Sequence, residues 1–299
     1  MSHVRLKSSF IYLANAVNDL RGNWSVLAVV LAPLILAAAL CLLPDALNLQ
    51  YRLAQTFEPG SQNISYVQAD RVGAVDQTAA LKEPQPFSPW VTTALHLIFG
   101  LLTLLVTLVT LCSLKRIQAG IRKPSIIGEA IEVYRQSIPL APGFVWVTIL
   151  RLAAPAMALY LFQLAEMNPI GPVLYVVLVI MIIGSALIYA WLYFAQLALI
   201  FDGKHSWHAL LFSRDLIRKR FFKVATRIAV FLAVWSGFNS WAAGAFVVVS
   251  LLFGPVGVVT GFLGAAIFLV DLGEIGVHYA TTAFLVAAAL RLYQDLRQG

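Results

Sequence analysis

The sequence predicts an all-α, polytopic membrane protein: a bundle of six transmembrane helices in three hairpins, each hairpin preceded by a cytoplasmic amphipathic helix. Three observations carry this. Apolar residues make up 60 % of the 299 positions and charged ones only 12 %, against roughly 25 % charged in an average globular domain. Mean hydropathy is +0.83, so the chain needs a solvent that is itself apolar. Six runs (24–43, 90–114, 140–165, 172–200, 224–252 and 272–292) reach the ~20 apolar residues that cross a bilayer core as a helix.

The basic residues orient these spans, because Lys and Arg accumulate in cytoplasmic loops. Arg5, Lys7 and Arg21 precede span 1, five basic residues lie in 115–138 and six in 201–223. With Arg227, Arg291 and Arg297 they place 17 basic residues on one side. Arg52, Arg71 and Lys82, all in one loop, stand on the other, and Arg151 lies inside a span. Six spans put every basic cluster, and both termini, on the cytoplasmic side.

Taken in order, residues 1–23 form a first amphipathic helix, with Leu6, Phe10, Leu13, Val17 and Leu20 on one face and Ser8, Asn15, Asn18 and Asp19 opposite. Span 1 (24–43) follows without a convincing cleavage site, so it is expected to stay attached. The outer loop 44–89 has a net charge of −2 and too few apolar residues for a core of its own; EPQPFSPW closes it before Trp90, an interfacial anchor for span 2 (90–114). The 115–139 connection holds a second amphipathic helix. Pro124 and Ser125 start it, Ile126, Ile127, Ala130, Ile131, Val133 and Tyr134 form its apolar face, and Glu129, Glu132, Arg135 and Gln136 form its polar one.

Spans 3 (140–165) and 4 (172–200) are joined by EMNPIG. The third amphipathic helix, in 201–223, groups Trp207, Leu210, Leu211, Ile217, Phe221 and Phe222, with Arg214 and Arg218 intruding. After span 5 (224–252), GPVGVVTGFLGAAIFLV (254–270) carries four glycines and one proline. A seventh span here would put the C-terminal arginines outside, so the stretch reads as a re-entrant or tilted segment packed against protein. Span 6 (272–292) ends the chain. Amphipathic helix plus hairpin thus recurs three times, a repeat of structure rather than of sequence. The whole chain, 1–299, reads as a single integral membrane domain.

Arg151 is the most costly residue in the chain. A charge inside a span costs roughly 2.5 kcal/mol or more, and no acidic residue lies mid-membrane to pair with it. It reads either as an anion contact, to a lipid phosphate or a substrate carboxylate, or as a side chain snorkelling to the interface. Arg214, Arg218, Lys219 and Arg220 favour anionic lipid, at about 1 kcal/mol each near the surface. A nucleic-acid role for FSRDLIRKRFFKVATR (212–227) is not expected, because topology already accounts for its charges. Asp271, Glu274 and His278 share one face of span 6 at i, i+3, i+7 spacing, and His96 in span 2 could reach their level. These four form a candidate polar or metal cluster, against the commoner reading of solvated helix-end residues. His205 and His208 make a weak HxxH pair beside Asp202. Gln163, Gln196 and Asn239 read as interhelical hydrogen-bond partners.

Cys41 and Cys112 fall at opposite ends of their spans, so a disulfide between them is not expected. The chain has no Walker loop, GxSxG elbow, HExxH helix or GxGxxG fingerprint, and no cofactor is expected.

The order of parts resembles a group of bacterial six-span inner-membrane proteins of unknown function, related to the membrane domain of glycerophosphoryl diester phosphodiesterase. The likeness is strongest in LALIFDGKHSWHALLFSRDLIRKRFFKV (197–224), where that family shows small-x-x-x-Ser-x-x-x-x-(basic or aromatic) running into span 5. EIGVHYATTAFLVAAALRLYQDLRQ (274–298) and NDLRGNWSVLAVV (18–30) look like its last span and its first-span entry. The 254–270 stretch and the Pro-rich loop end depart from its pattern. The resemblance implies a multi-pass protein of a bacterial inner membrane and carries over no catalytic residue. The expectation is a non-enzymatic accessory or membrane-organising component, touching anionic lipid on its cytoplasmic face and a protein partner through its outer loop. The alternatives are a transporter or lipid-handling protein built on Arg151, and an intramembrane enzyme built on the Asp271–His278 face.

Overall fold

The computed structural model describes residues 6–57, 89–121, 125–167, 172–260 and 263–298. It is all-helical, with no strand among the described residues. In chain order the helices are α1 (Ser9–Arg21), α2 (Trp24–Phe57), α3 (Pro89–Gln118), α4 (Ile126–Ser137), α5 (Ala141–Met167), α6 (Pro172–Leu192), α7 (Ala195–Phe201), α8 (Ser206–Arg218), α9 (Phe221–Thr260) and α10 (Leu263–Arg297). A 3₁₀ turn, Ile138–Leu140, links α4 to α5. Six segments are long and apolar enough to cross a membrane, so the chain is a multi-pass membrane protein.

Several boundaries differ from expectation. The helix of span 1 does not end at residue 43 but runs to Phe57 through Pro33 and Pro44, so the first part of the expected outer loop is helical. Residues 58–88 of that loop lie outside the described residues. Within 254–270, residues 254–260 continue α9 and 263–270 open α10, and 261–262 lie outside the described residues. A glycine in a helix costs about 1 kcal/mol, whereas an unsatisfied backbone group in an apolar medium costs several. Helix therefore wins over irregular backbone even where glycine is frequent. Span 4 is interrupted at Tyr193–Phe194, leaving the short α7. The basic helix ends at Arg218, and Phe221 and Phe222 already belong to α9.

The chain divides into two compact units: Met1–Ala32, Leu104–Phe238 and Ala280–Gly299 form the first, Pro33–Thr103 and Asn239–Tyr279 the second. The long helices α2, α3, α9 and α10 contribute residues to both.

Unit 1 holds the three helices expected to be amphipathic, α1, α4 and α8, and each buries one face within it. α1 buries Tyr12, Leu13, Ala16 and Leu20, while Phe10 is 75 % exposed and Val17 50 %. In α4 the buried residues are Glu129, Ala130, Val133 and Ser137; Ile127 and Ile131 of the expected apolar face are exposed. α8 buries Ala209, Leu210, Ser213 and Ile217 and leaves Trp207 exposed.

Polar contacts fix which face of each turns inward. Arg116 of α3 makes a two-pronged ion pair with Glu129, Nε to Oε1 at 2.6 Å and Nη2 to Oε2 at 3.0 Å, which turns the supposed polar face of α4 inward. The Tyr134 hydroxyl donates to the Val30 carbonyl of α2 at 2.6 Å. Tyr12 of α1 donates to Asp295 of α10 at 2.8 Å, and Arg291 donates to Asp19 at 2.7 Å. α8 is fixed by Ser213, whose hydroxyl accepts from the Phe194 amide (3.1 Å) and donates to the Trp191 carbonyl (2.7 Å). That serine supplies the two partners the backbone loses where α6 breaks. Lys115 donates to the Ile200 carbonyl at 2.6 Å, covering the last turn of α7.

Sequence-level capping signals hold locally. The Ser125 hydroxyl accepts from the Gly128 amide at 3.1 Å, the N-cap bond of α4. After α3, Gly120 takes φ +68°, and the bonds Gly120 N–H to Ile117 O and Ile121 N–H to Arg116 O close the helix end, the pairing of a Schellman motif.

Candidate functional site

Arg151 sits in the body of unit 1 on α5, half-buried. Its Nη1 donates to Gln196 Oε1 at 2.8 Å, and Gln196 Nε2 donates to Thr148 Oγ1 at 2.6 Å. Thr148 in turn donates to the Phe144 carbonyl at 2.7 Å. The guanidinium lies 5.2 Å from the Tyr189 ring centre and 5.8 Å from that of Tyr193, within the range of a cation–π contact. The two rings meet edge to face at 5.9 Å. Neutral groups thus surround the charge, and among the described residues no carboxylate pairs with it. Arg151 Nε is buried with no hydrogen-bond partner, beside a cavity of about 90 Å³ lined also by Thr107, Tyr189, Tyr193, Gln196 and Thr282. The break at Tyr193–Phe194 builds this site, because it sets Tyr193 and Gln196 against α5.

The basic surface residues separate into two groups. Arg214 pairs with its exposed neighbour Asp215 at 3.2 Å. Lys219 and Arg220 line an open cavity of about 700 Å³ with Lys204, Phe212 and Arg297; Arg214 and Arg218 do not. Asp202, at the back of that cavity, accepts from Tyr293 and pairs with Arg297 at 2.9 Å. It is therefore engaged by α10 rather than by the expected pair His205 and His208, both exposed.

In unit 2, Asp271, Glu274 and His278 share one cavity of about 460 Å³ with Asn239 and Ser240. His278 Nδ1 lies 3.0 Å from Asn239 Oδ1, within hydrogen-bond distance. His96, the fourth residue of the expected cluster, is exposed on α3 and does not line this cavity. Among the described residues no three His, Cys, Asp or Glu side chains converge as metal ligands. Cys41 and Cys112 are both free and buried.

Sequence reasoning missed the Arg116–Glu129 pair, the Tyr12–Asp295 and Arg291–Asp19 bonds, and the role of Ser213. The partners of Tyr12 and Asp19 lie 283 and 272 residues away, and no local pattern announces such a pairing.

Compared with known proteins, the chain matches no family model, no curated protein and no solved structure.

Proposed function

We propose that this is a non-enzymatic, multi-pass protein of a bacterial inner membrane, a membrane-organising or accessory component of a membrane complex, with both termini cytoplasmic. One observation carries the reading. α1, α4 and α8 each bind unit 1 by one face and hold a second apolar set outward: Phe10 and Val17, Ile127 and Ile131, and Trp207. A helix lying in a membrane interface sinks such a set into the headgroup boundary while nearby cations meet anionic lipid. Arg218, Lys219 and Arg220 supply those cations at the end of α8. The likeness to the six-span proteins related to the phosphodiesterase membrane domain belongs to the same proposal. Its small-x-x-x-Ser pattern falls on Ala209 and Ser213, both fully buried. Purification from native membranes in mild detergent is expected to bring down a stoichiometric protein partner; a lone monomer overturns the accessory role.

A second reading, a transporter or lipid-handling protein, draws on the unpartnered Nε of Arg151 beside its cavity. It expects proteoliposomes to take up radiolabelled inorganic phosphate, and Arg151→Ala to abolish uptake while membrane insertion is unchanged. Equal uptake by the variant, or none by the wild type, removes this reading.

A further inference from the structure

Helices α5, α6 and α9 leave an apolar groove of about 850 Å³ in unit 1. Leu152 and Phe162 mark its extent on α5, Ala190 and Ile182 on α6, and Phe221 and Leu232 on α9. Ser185 is one of its few polar side chains, and its hydroxyl is turned back to the Ile182 carbonyl at 2.8 Å. From Phe221 to Leu232 is eleven steps of helix, about 16 Å at 1.5 Å per residue. That is close to half the ~30 Å hydrocarbon core of a bilayer, the depth of a single leaflet. α5 covers the same depth in the same direction from Leu152, and α6 returns alongside.

The two ends of the groove differ in charge. Its inner end is wholly apolar. Its outer end begins at Phe221 and Phe222, directly after Arg218, Lys219 and Arg220, and Trp191 packs edge to face on Phe221 at 6.0 Å. Aromatic side chains of this kind settle at the level of lipid headgroups. Among the described residues none of the three cations is paired with a carboxylate. The nearest acids are already engaged, Asp215 by Arg214 and Asp202 by Arg297 and Tyr293.

We propose that the groove holds one acyl chain of an anionic phospholipid, whose headgroup phosphate is bound by the Arg218–Lys219–Arg220 turn. The proposal rests on reading these cations as lipid contacts, and adds a discrete site with a stoichiometry of one. Surface attraction alone recruits anionic lipid without retaining it. An apolar slot about one leaflet deep, its first α9 residue directly following the Arg218–Lys219–Arg220 turn, matches both parts of a single lipid.

The test is native mass spectrometry of the full chain in mild detergent with equal phosphatidylglycerol and phosphatidylcholine of identical acyl chains. The wild type is expected to retain one phosphatidylglycerol with a preference of about 30-fold, the equivalent of two basic contacts. A triple Arg218→Gln, Lys219→Gln, Arg220→Gln variant is expected to lose that preference and keep its phosphatidylcholine adduct. Ala229→Phe, which fills the groove from α9, is expected to lose both adducts at least tenfold with helix content unchanged. Equal retention of the two lipids by the wild type overturns the proposal, as does unchanged phosphatidylglycerol retention by a folded Ala229→Phe. Should Ala229→Phe fail to fold, the wild-type preference and the surface-charge variant decide. A chain that retains no lipid yet co-purifies a partner refutes this site and leaves the accessory role standing.

Discussion

The ion pair between Arg116 and Glu129 gives the sharpest test of how α4 is held. Both side chains are 5 % exposed, and the two bonds at 2.6 and 3.0 Å form a fork between guanidinium and carboxylate. Glu129→Ala leaves a buried cation without its counter-charge, and Arg116→Met leaves a buried anion. Breaking such a pair from one side costs about 3–5 kcal/mol, whereas replacing both members by apolar residues of similar size is often neutral. The pair is the main polar tie between α3 and α4, so the loss should appear as local opening of α4. Hydrogen exchange of the amides in Ile126–Ser137 measures that opening. Each single variant is expected to lower their protection by at least ~100-fold. The double variant Arg116→Met, Glu129→Leu is expected to recover most of it. If the single variants change protection by less than about fivefold, or the double variant is worse than either, the buried pair does not hold α4 in place.

Four further outcomes are expected. Burial, reinforced by the bond to Asp295, pushes the Tyr12 hydroxyl up to about 12 from its usual 10. The neutral form is favoured by folding, so this stabilisation is complete below pH 10 and is lost as pH rises towards 12; Tyr12→Phe should remove that pH dependence from thermal melts, and an unchanged profile speaks against the contact. Ser213→Ala leaves the Phe194 amide and Trp191 carbonyl unpaired in a buried site, a cost of about 1–3 kcal/mol read as a lower midpoint in thermal unfolding. Gly120→Ala forces an alanine into the left-handed region at φ +68°, and about 1–2 kcal/mol of destabilisation is expected in the same assay. Gln196→Leu removes the hydrogen-bond partner of Arg151 Nη1 and should cost about 1–3 kcal/mol, with a larger drop than Gln163→Leu on span 3.

The crossing segments were legible because a bilayer demands about twenty consecutive apolar residues, and that demand leaves a mark any window of sequence carries. The Ser125 cap was legible for a similar reason: its bond spans three residues. Helix ends inside apolar or glycine-rich stretches were not. Pro44 and the glycines of 254–270 look like breaks by local propensity, yet the requirement that backbone groups be paired outweighs those small terms. The candidate sites follow the same division. Arg151 stood out from the sequence because its cost does not depend on neighbours, and Gln196 was recognisable as an interhelical donor. That these two meet, with Tyr189 and Tyr193 across the guanidinium, depends on the break in span 4, whose freed backbone groups Ser213 pairs from another helix.

Composition and spacing alone therefore determined the solvent this chain folds in, the number of its crossings and the residues too polar to be idle among them. Only the tertiary structure decided which face of each short helix turns inward, because Glu129 is polar in isolation and core beside Arg116. It alone also decided that Arg218, Lys219 and Arg220 pair with no carboxylate among the described residues and that three helices leave an apolar groove. Hydrophobicity is a sum over neighbours in sequence, whereas ion pairs and cavities are set by atoms that only the folded chain brings within a few ångströms.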